Sequence, residues 1–263
     1  MNTRIDLKGR TALVTGASSG LGVDFARNLA ARGANLVLTA RREDLLRQHA
    51  DEITRKYAVS VTIIAMDLGE RDAPQRLYDQ LKAEGITIDV LINNAGFGLY
   101  GRFVELAWER ERSMLELDII TLVHLTKLFV KDMVARRFGY VLQVASIGAY
   151  QPSPLYASYS AAKAFVLSFG EAVNHELRGT GVHISVLSPG ITATEFLKVS
   201  GQKPTLYQRI MMMTSERVTK MGIDALLAGK PTLVPGFGNA FSTFLVRLLP
   251  RRAITHIAEL TMR

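Results

Sequence analysis

Short apolar runs alternate along the chain with longer stretches in which apolar residues recur every three or four positions. The runs at 12–15, 35–39, 61–65, 90–92, 140–145, 182–187 and 232–234 are too short for helices and are predicted as strands. Polar residues hardly interrupt them, so both faces of each strand must be buried, the signature of a parallel sheet covered by helices on either side. The stretches between them carry the helical period and supply right-handed crossovers. The expected fold class is α/β: a doubly wound, Rossmann-like parallel sheet of seven strands with helices on both faces. A single domain covers residues 1–263, since no repeat, low-complexity tract or linker divides the chain.

Residues 15–22 read TGASSGLG, directly after the first strand and before an amphipathic run. At Gly16, Gly20 and Gly22 the missing side chains let a pyrophosphate approach the backbone, while the helix N-terminus offers free N–H groups and partial positive charge. Gly16-Ala17-Ser18-Ser19-Gly20 also fits the GxSxG elbow of serine hydrolases. That elbow lies deep in a hydrolase sheet and is followed by an acid and a histidine, whereas this one follows the first strand. It would also leave Tyr159-Ser160-Ala161-Ala162-Lys163 unexplained, where Tyr and Lys four apart share one helix face. Ser146 ends the fifth strand, Asn93-Asn94-Ala95-Gly96 the fourth and Pro189-Gly190 the sixth. In this combination and order, over roughly residues 8–196, the chain resembles the short-chain dehydrogenase/reductase family.

The resemblance implies a nicotinamide dinucleotide along the carboxyl ends of the strands. Its pyrophosphate would meet Gly16, Ser18, Ser19, Gly20, Leu21 and Gly22; its adenine, Asp67 and Leu68; its adenosine ribose, Asn93, Ala95 and Gly96. Pro189, Gly190, Ile191 and Thr194 would hold the carboxamide. Ala40-Arg41-Arg42 follows the second strand without an acid there for ribose hydroxyls, and Arg41 can bind a 2′-phosphate, which selects NADP(H). The resemblance also casts Tyr159 as proton donor and acceptor, Lys163 as the ammonium that eases its ionisation and binds the nicotinamide ribose, and Ser146 as a donor to the substrate oxygen. The reaction implied is hydride exchange with a carbonyl or alcohol.

Asp118, in the stretch Leu117-Asp118-Ile119-Ile120, stands where the family carries a relay Asn. An ionised Asp accepts hydrogen bonds but cannot donate them, and its charge would keep Lys163 protonated while offsetting its effect on Tyr159. A non-catalytic NADP-binding scaffold or regulatory protein is therefore the alternative reading. Relatives pair through the helices that here contain Asp118 and Tyr159, implying a homodimer or homotetramer.

Composition narrows the setting. The 263 residues, 48% of them hydrophobic, suffice for one large core, and the absence of Cys excludes disulfides and thiolate chemistry. The five His show no metal-ligand pairing, so no metal is expected. MNTRIDLKGR lacks the apolar core of a signal peptide, and no run approaches a membrane span, which points to a cytoplasmic protein. The 32 Lys+Arg against 24 Asp+Glu give +8, spread without a nucleic-acid module; an anionic cofactor or an acidic membrane surface uses this excess better than nucleic acid.

Two stretches stand apart. Residues 195–219, irregular and containing Met211-Met212-Met213, read either as a substrate lid or as an ordinary core-facing helix. The amphipathic segment 236–263 carries Phe241, Phe244, Leu245, Leu248 and Leu249 among Arg247, Arg251 and Arg252. It either makes a peripheral contact with an anionic membrane or packs on the domain or a partner subunit. Phe97, Tyr100, Ile147, Tyr150, Leu155 and Tyr156 flank the motifs and suggest an apolar small-molecule substrate.

Overall fold

The computed structural model describes residues 6–203, 205 and 211–262. Nine strands form: β1 (Thr11–Thr15), β2 (Asn35–Ala40), β3 (Val61–Ala65), β4 (Val90–Asn93), β5 (Gly139–Val144), β6 (Val182–Leu187), β7 (Thr192–Ala193), β8 (Met213–Thr214) and β9 (Thr232–Leu233), counted among the described residues. Seven of them make one parallel sheet in the order β3-β2-β1-β4-β5-β6-β9, and β7 pairs with β8 in a small second sheet. All seven lie where the hydrophobic runs predict them, with ends shifted by a residue at most.

Among the described residues the α-helices are α1 (Gly20–Ala30), α2 (Glu43–Tyr57), α3 (Ala73–Ala83), α4 (Trp108–Leu115), α5 (Leu122–Ala135), α6 (Ala157–Glu176), α7 (Phe196–Ser200), α8 (Ser215–Leu227), α9 (Phe237–Leu245) and α10 (Arg251–Met262). A wide π turn, Glu116–Thr121, joins α4 to α5. Strand alternation builds two cores, one on each face. Ala12, Val14, Leu36, Leu38, Val90 and Ile92 meet Phe25 and Leu29 of α1 and Val218 and Leu226 of α8. Leu13, Val37, Leu91 and Val141 meet Leu77 of α3 and Leu125 and Phe129 of α5 on the other. Each such side chain taken from water contributes roughly 1.5–3 kcal/mol, so the two layers hold the sheet as a rigid platform.

The chain reverses its direction of winding at β1, which pairs with β2 on one side and β4 on the other. Crevices at such switch points, outside the carboxyl ends of the strands, receive ligands in open α/β sheets.

Two expectations change. Residues 215–219 begin α8 with Val218 and Thr219 fully buried, so this end of the expected lid is core-facing helix. Met213 lies in β8, and the Met211 and Met213 side chains abut Gly238 and Gly236 of their own chain. Residues 204 and 206–210 of the same stretch lie outside the described residues. In the C-terminal segment Phe241, Phe244, Leu245, Leu248 and Leu249 are exposed, which removes the reading in which they pack on the domain. No helix among the described residues is long and apolar enough to cross a membrane.

Candidate active site

The turn after β1 needs its glycines. Gly16 and Gly20 take φ of +67° and +56°, and a Cβ on Gly22 would lie 2.1 Å from the Gly16 carbonyl oxygen. Ser19, at the N-cap of α1, makes no side-chain capping bond, so the first N–H groups of the helix are left for an anionic ligand. Thr15 staples this turn to the end of β4. Its hydroxyl donates to the Ile92 carbonyl at 3.1 Å and accepts the N–H groups of Asn94 and Ala95, each at 2.9 Å. The Asn94 amide returns the contact, donating to the Thr15 carbonyl at 2.9 Å. A cradle that a Cβ would fill, beside an uncapped helix, fits the pyrophosphate of a dinucleotide.

Two residues expected at the adenosine end take other roles with their side chains. Asn93 is buried, its amide donating to Thr126 Oγ1 and Gln143 Oε1 at 3.0 Å each, so only its backbone can line the crevice. The Leu68 side chain belongs to the core, and its carbonyl accepts the Thr121 hydroxyl at 2.7 Å. Asp67 remains at the edge: Oδ1 accepts the Gly69 N–H at 2.9 Å, and Oδ2 lies 3.7 Å from Arg41 Nη1.

The Arg41 side chain is three-quarters exposed. Arg42 is held more tightly, with Nε and Nη2 donating to Ser18 Oγ at 3.3 and 3.2 Å and Nη1 lying 3.7 Å from Glu195 Oε2. Two guanidinium groups therefore stand at the end of β2, and the sequence singled out only the first. Arg42 becomes visible only when the turn after β1 is folded beside it.

Ser146 lies two residues beyond β5 in extended backbone, where its Oγ accepts the Gly148 N–H at 3.1 Å. Across from it α6 presents Tyr159 and Lys163, one turn apart. Lys163 Nζ donates to the Val144 carbonyl at 3.2 Å, forms an ion pair with Asp118 Oδ2 at 2.9 Å and stands 5.6 Å from the Tyr159 ring centroid. Asp118 comes from the π turn and is wholly buried. Its Oδ1 accepts the Phe97 N–H at 3.1 Å, and a Cβ on Gly96 would come within 2.6 Å of that oxygen. Gly96 is thus the residue that makes room for the carboxylate.

Burial raises the Tyr159 hydroxyl well above the usual phenol range and the Asp118 charge raises it further, while the Ser146 hydroxyl works in the opposite direction. Burial likewise drives Asp118 up, opposed by Lys163 and the Phe97 N–H. Tyr159 is accordingly a protonated phenol at neutral pH, suited to giving a proton to an oxygen that gathers negative charge.

Aromatic rings wall this cluster. The Tyr159 ring centroid lies 5.6 Å from that of Tyr156 and 5.4 Å from that of Phe196, and Tyr100 continues the row at 5.4 Å from Tyr156. Phe196, on α7, reaches so far over that a Cβ on Gly98 would lie 2.6 Å from its Cζ. Tyr156 donates to Gln202 Oε1 at 2.9 Å and shares a 2.9 Å hydrogen bond with Ser200, and its own burial pushes its hydroxyl up to about 12. Gln202 and Tyr100 both donate to the Met262 carbonyl, at 2.9 and 3.2 Å, which ties the end of α10 to this wall. Tyr150 lines a separate cavity of about 550 Å³ with Ala161, Ala164, Arg251 and Thr255, apart from Ser146, Tyr159 and Lys163. Phe196 and Gln202 carried no signal in the sequence, because only the path of the connection after β7 brings them here.

The loop after β6 closes the near side. Pro189 accepts the Ile147 N–H at 2.9 Å, and Thr194 approaches to 3.3 Å from where a Cβ on Gly20 would stand. Ile191 accepts the Met213 N–H at 3.0 Å, and Gly190 is packed by Asn239. The glycine turn, Arg41, Ser146, Tyr159, Lys163 and the loop 189–194 thus stand about the carboxyl ends of the strands, while the side chains of Asn93 and Leu68 turn inward.

The sequence profile of the family described as short chain dehydrogenase matches residues 10–205. The very-long-chain 3-oxoacyl-CoA reductase of Anas platyrhynchos is 34% identical over 206 residues, which are 75% of this chain and 65% of that protein. The chain therefore spans about two thirds of that relative's length. Among solved structures, a 7β-hydroxysteroid dehydrogenase superposes with a TM-score of 0.87 at 26% identity, covering 98% of this chain and 99% of the other. A short-chain dehydrogenase from Sphingobium yanoikuyae in complex with NADPH gives 0.81 at 27% identity, covering 91% and 94%.

Proposed function

The chain belongs to the short-chain dehydrogenase/reductase family, and on that premise we propose that it is an NADP(H)-preferring oxidoreductase acting on a carbonyl or alcohol of an apolar small molecule. The observation that carries this reading is the meeting of Ser146, Tyr159, Lys163 and Asp118 on the same sheet edge as the uncapped glycine turn. The dinucleotide, when bound, supplies or accepts the hydride. Everything else falls to the chain's own groups. The glycine turn and the N-terminus of α1 hold the pyrophosphate, and Arg41, supported by Arg42, holds the 2′-phosphate. Ser146 orients the substrate oxygen, and the Tyr159 hydroxyl gives it a proton during reduction and takes one back during oxidation. Lys163 keeps a positive charge near the phenol, and Asp118 fixes that ammonium in place.

The wall of Tyr100, Tyr156 and Phe196 supports an apolar substrate, as do relatives whose names specify a long-chain acyl reductase and a hydroxysteroid dehydrogenase. Ile120 and Phe165, exposed on the segments that carry Asp118 and Tyr159, support pairing of two copies there. The test is a panel of apolar ketones, aldehydes and alcohols assayed with NADPH and NADH in parallel. Turnover faster with NADPH is expected. Tight NADPH binding without turnover of any substrate would instead favour the scaffold reading, to which the direct Asp118–Lys163 ion pair gives its one structural argument.

A further inference from the structure

α9 is turned inside out. Asn239 and Thr243 are its buried side chains, while Phe237, Phe241 and Phe244, followed by Leu248, are 88%, 52%, 54% and 66% exposed. Their spacing of four, three and four places them in one stripe along the outward face. The inward face has a reason to be polar. Asn239 donates to the Pro235 carbonyl at 2.9 Å and fills the space beside Gly190, where a Cβ would lie 2.4 Å from its Nδ2. Anchoring the helix on the turn after β6 in this way commits its phenylalanines to the outside, where Phe237 and Phe241 stack on each other at 6.2 Å.

Charge decides what covers them. After Asp224 the sequence holds no acid until Glu259, yet the interval contains Lys230, Arg247, Arg251 and Arg252, the three arginines all exposed and following closely on the aromatic stripe in the sequence. A second copy seated on this face would bring two sets of these cations into one interface, and the interval from 225 to 258 offers no acid to pair them. An anionic bilayer meets both features at once: aromatic side chains settle at the headgroup boundary while arginines bind lipid phosphates. We infer that the outward face of α9, with Arg247, Arg251 and Arg252, is a docking surface for an anionic lipid bilayer, on which the nine-residue helix lies flat. The inference is independent of the reaction proposed above. It places at the lipid surface the same C-terminal segment whose last turn is fastened to Tyr100 and Gln202.

Co-sedimentation with vesicles of phosphatidylcholine, alone or mixed with phosphatidylglycerol, tests this with the full chain. The protein should pellet with the mixed vesicles at low salt, remain in solution with phosphatidylcholine alone, and be released as salt rises. Arg247→Gln/Arg251→Gln/Arg252→Gln should weaken binding about a hundredfold, given the attraction typical of each basic residue near an anionic surface. Phe237→Ser/Phe241→Ser/Phe244→Ser should abolish it. All six positions are on the surface, so circular dichroism and thermal unfolding should match the parent. No pelleting with mixed vesicles at low salt would overturn the inference, as would undiminished binding by either variant. A concentration-dependent dimer that disappears in the phenylalanine variant, with no vesicle binding by the parent, would assign the face to a second copy and equally overturn it.

Discussion

Lys163 and Asp118 form a buried ion pair of 2.9 Å immediately beneath the Tyr159 ring, with neither side chain more than 7% exposed. Removing two charges from water is costly, and such a pair persists only with good geometry and further hydrogen bonds. Here the Val144 carbonyl holds the ammonium and the Phe97 N–H holds the carboxylate. The pair makes Asp118 an electrostatic opponent of Tyr159 ionisation as well as a positioning residue for Lys163.

Asp118→Asn should therefore move a pH profile. The carboxylate raises the Tyr159 pKa, so its removal should lower it. Oxidation of an alcohol requires the phenolate, and its rising alkaline limb should shift to lower pH in the variant. Reduction near neutrality should be maintained or increased, since an amide can both donate and accept in the proton relay. An unchanged oxidative limb would show that Asp118 does not act on Tyr159, and an inactive, folded variant would show that the carboxylate itself is required.

Tyr159→Phe keeps the ring that packs against Tyr156 and Phe196 but removes the proton. Turnover should fall about 10²–10⁴-fold, the usual loss when a general acid–base group is deleted. NADPH affinity, measured by titrating its fluorescence, should change little. Turnover near the parent level would remove Tyr159 from the mechanism.

Arg41→Ala should weaken NADPH by about one to two powers of ten, as expected for losing roughly 1.5–3 kcal/mol of hydrogen bonding to a charged group. NADH should be almost unaffected, and the ratio of the two dissociation constants is the measurement. Arg42→Ala should weaken both cofactors, because Arg42 also holds Ser18 in the glycine turn. Equal losses for the two cofactors in Arg41→Ala would refute the 2′-phosphate contact.

The sheet was legible because its inner strands β1, β2, β4 and β5 are buried on both faces and so read as nearly continuous apolar runs, while the end strands β3 and β9 are only partly buried and show through short apolar runs of their own. Gly16, Gly20, Gly22, Ser146, Tyr159 and Lys163 stood out in the sequence for a different reason: the chemistry proposed for them depends on residue type at fixed spacing. What escaped depends on contacts between distant segments. The buried amide of Asn93, the core place of the Leu68 side chain, the grip of Arg42 on Ser18 and the position of Phe196 all require the folded neighbours. The segment 236–263 shows the limit most clearly, since its apolar periodicity predicts an amphipathic helix but not which side faces inward. That is decided by Asn239 against Gly190.

Phe196 supplies the last prediction. Its ring, on the expected lid, lies 5.4 Å from that of Tyr159 and stacks over Tyr156 at 6.5 Å, and it stands on a five-residue helix just after β7. Such a ring both shapes the apolar wall and limits access to the phenol. Phe196→Ala should raise KM for bulky apolar ketones by about two- to tenfold, the equivalent of losing one aromatic contact of roughly 0.5–1.5 kcal/mol. For small ketones, which do not reach the wall, KM and kcat should stay close to the parent values. The fold should survive, because the ring sits on the rim of the site rather than in either core layer. A uniform fall in kcat for small and bulky substrates alike would mean that Phe196 positions Tyr159 itself. No change for any substrate would mean that α7 swings clear when substrate binds.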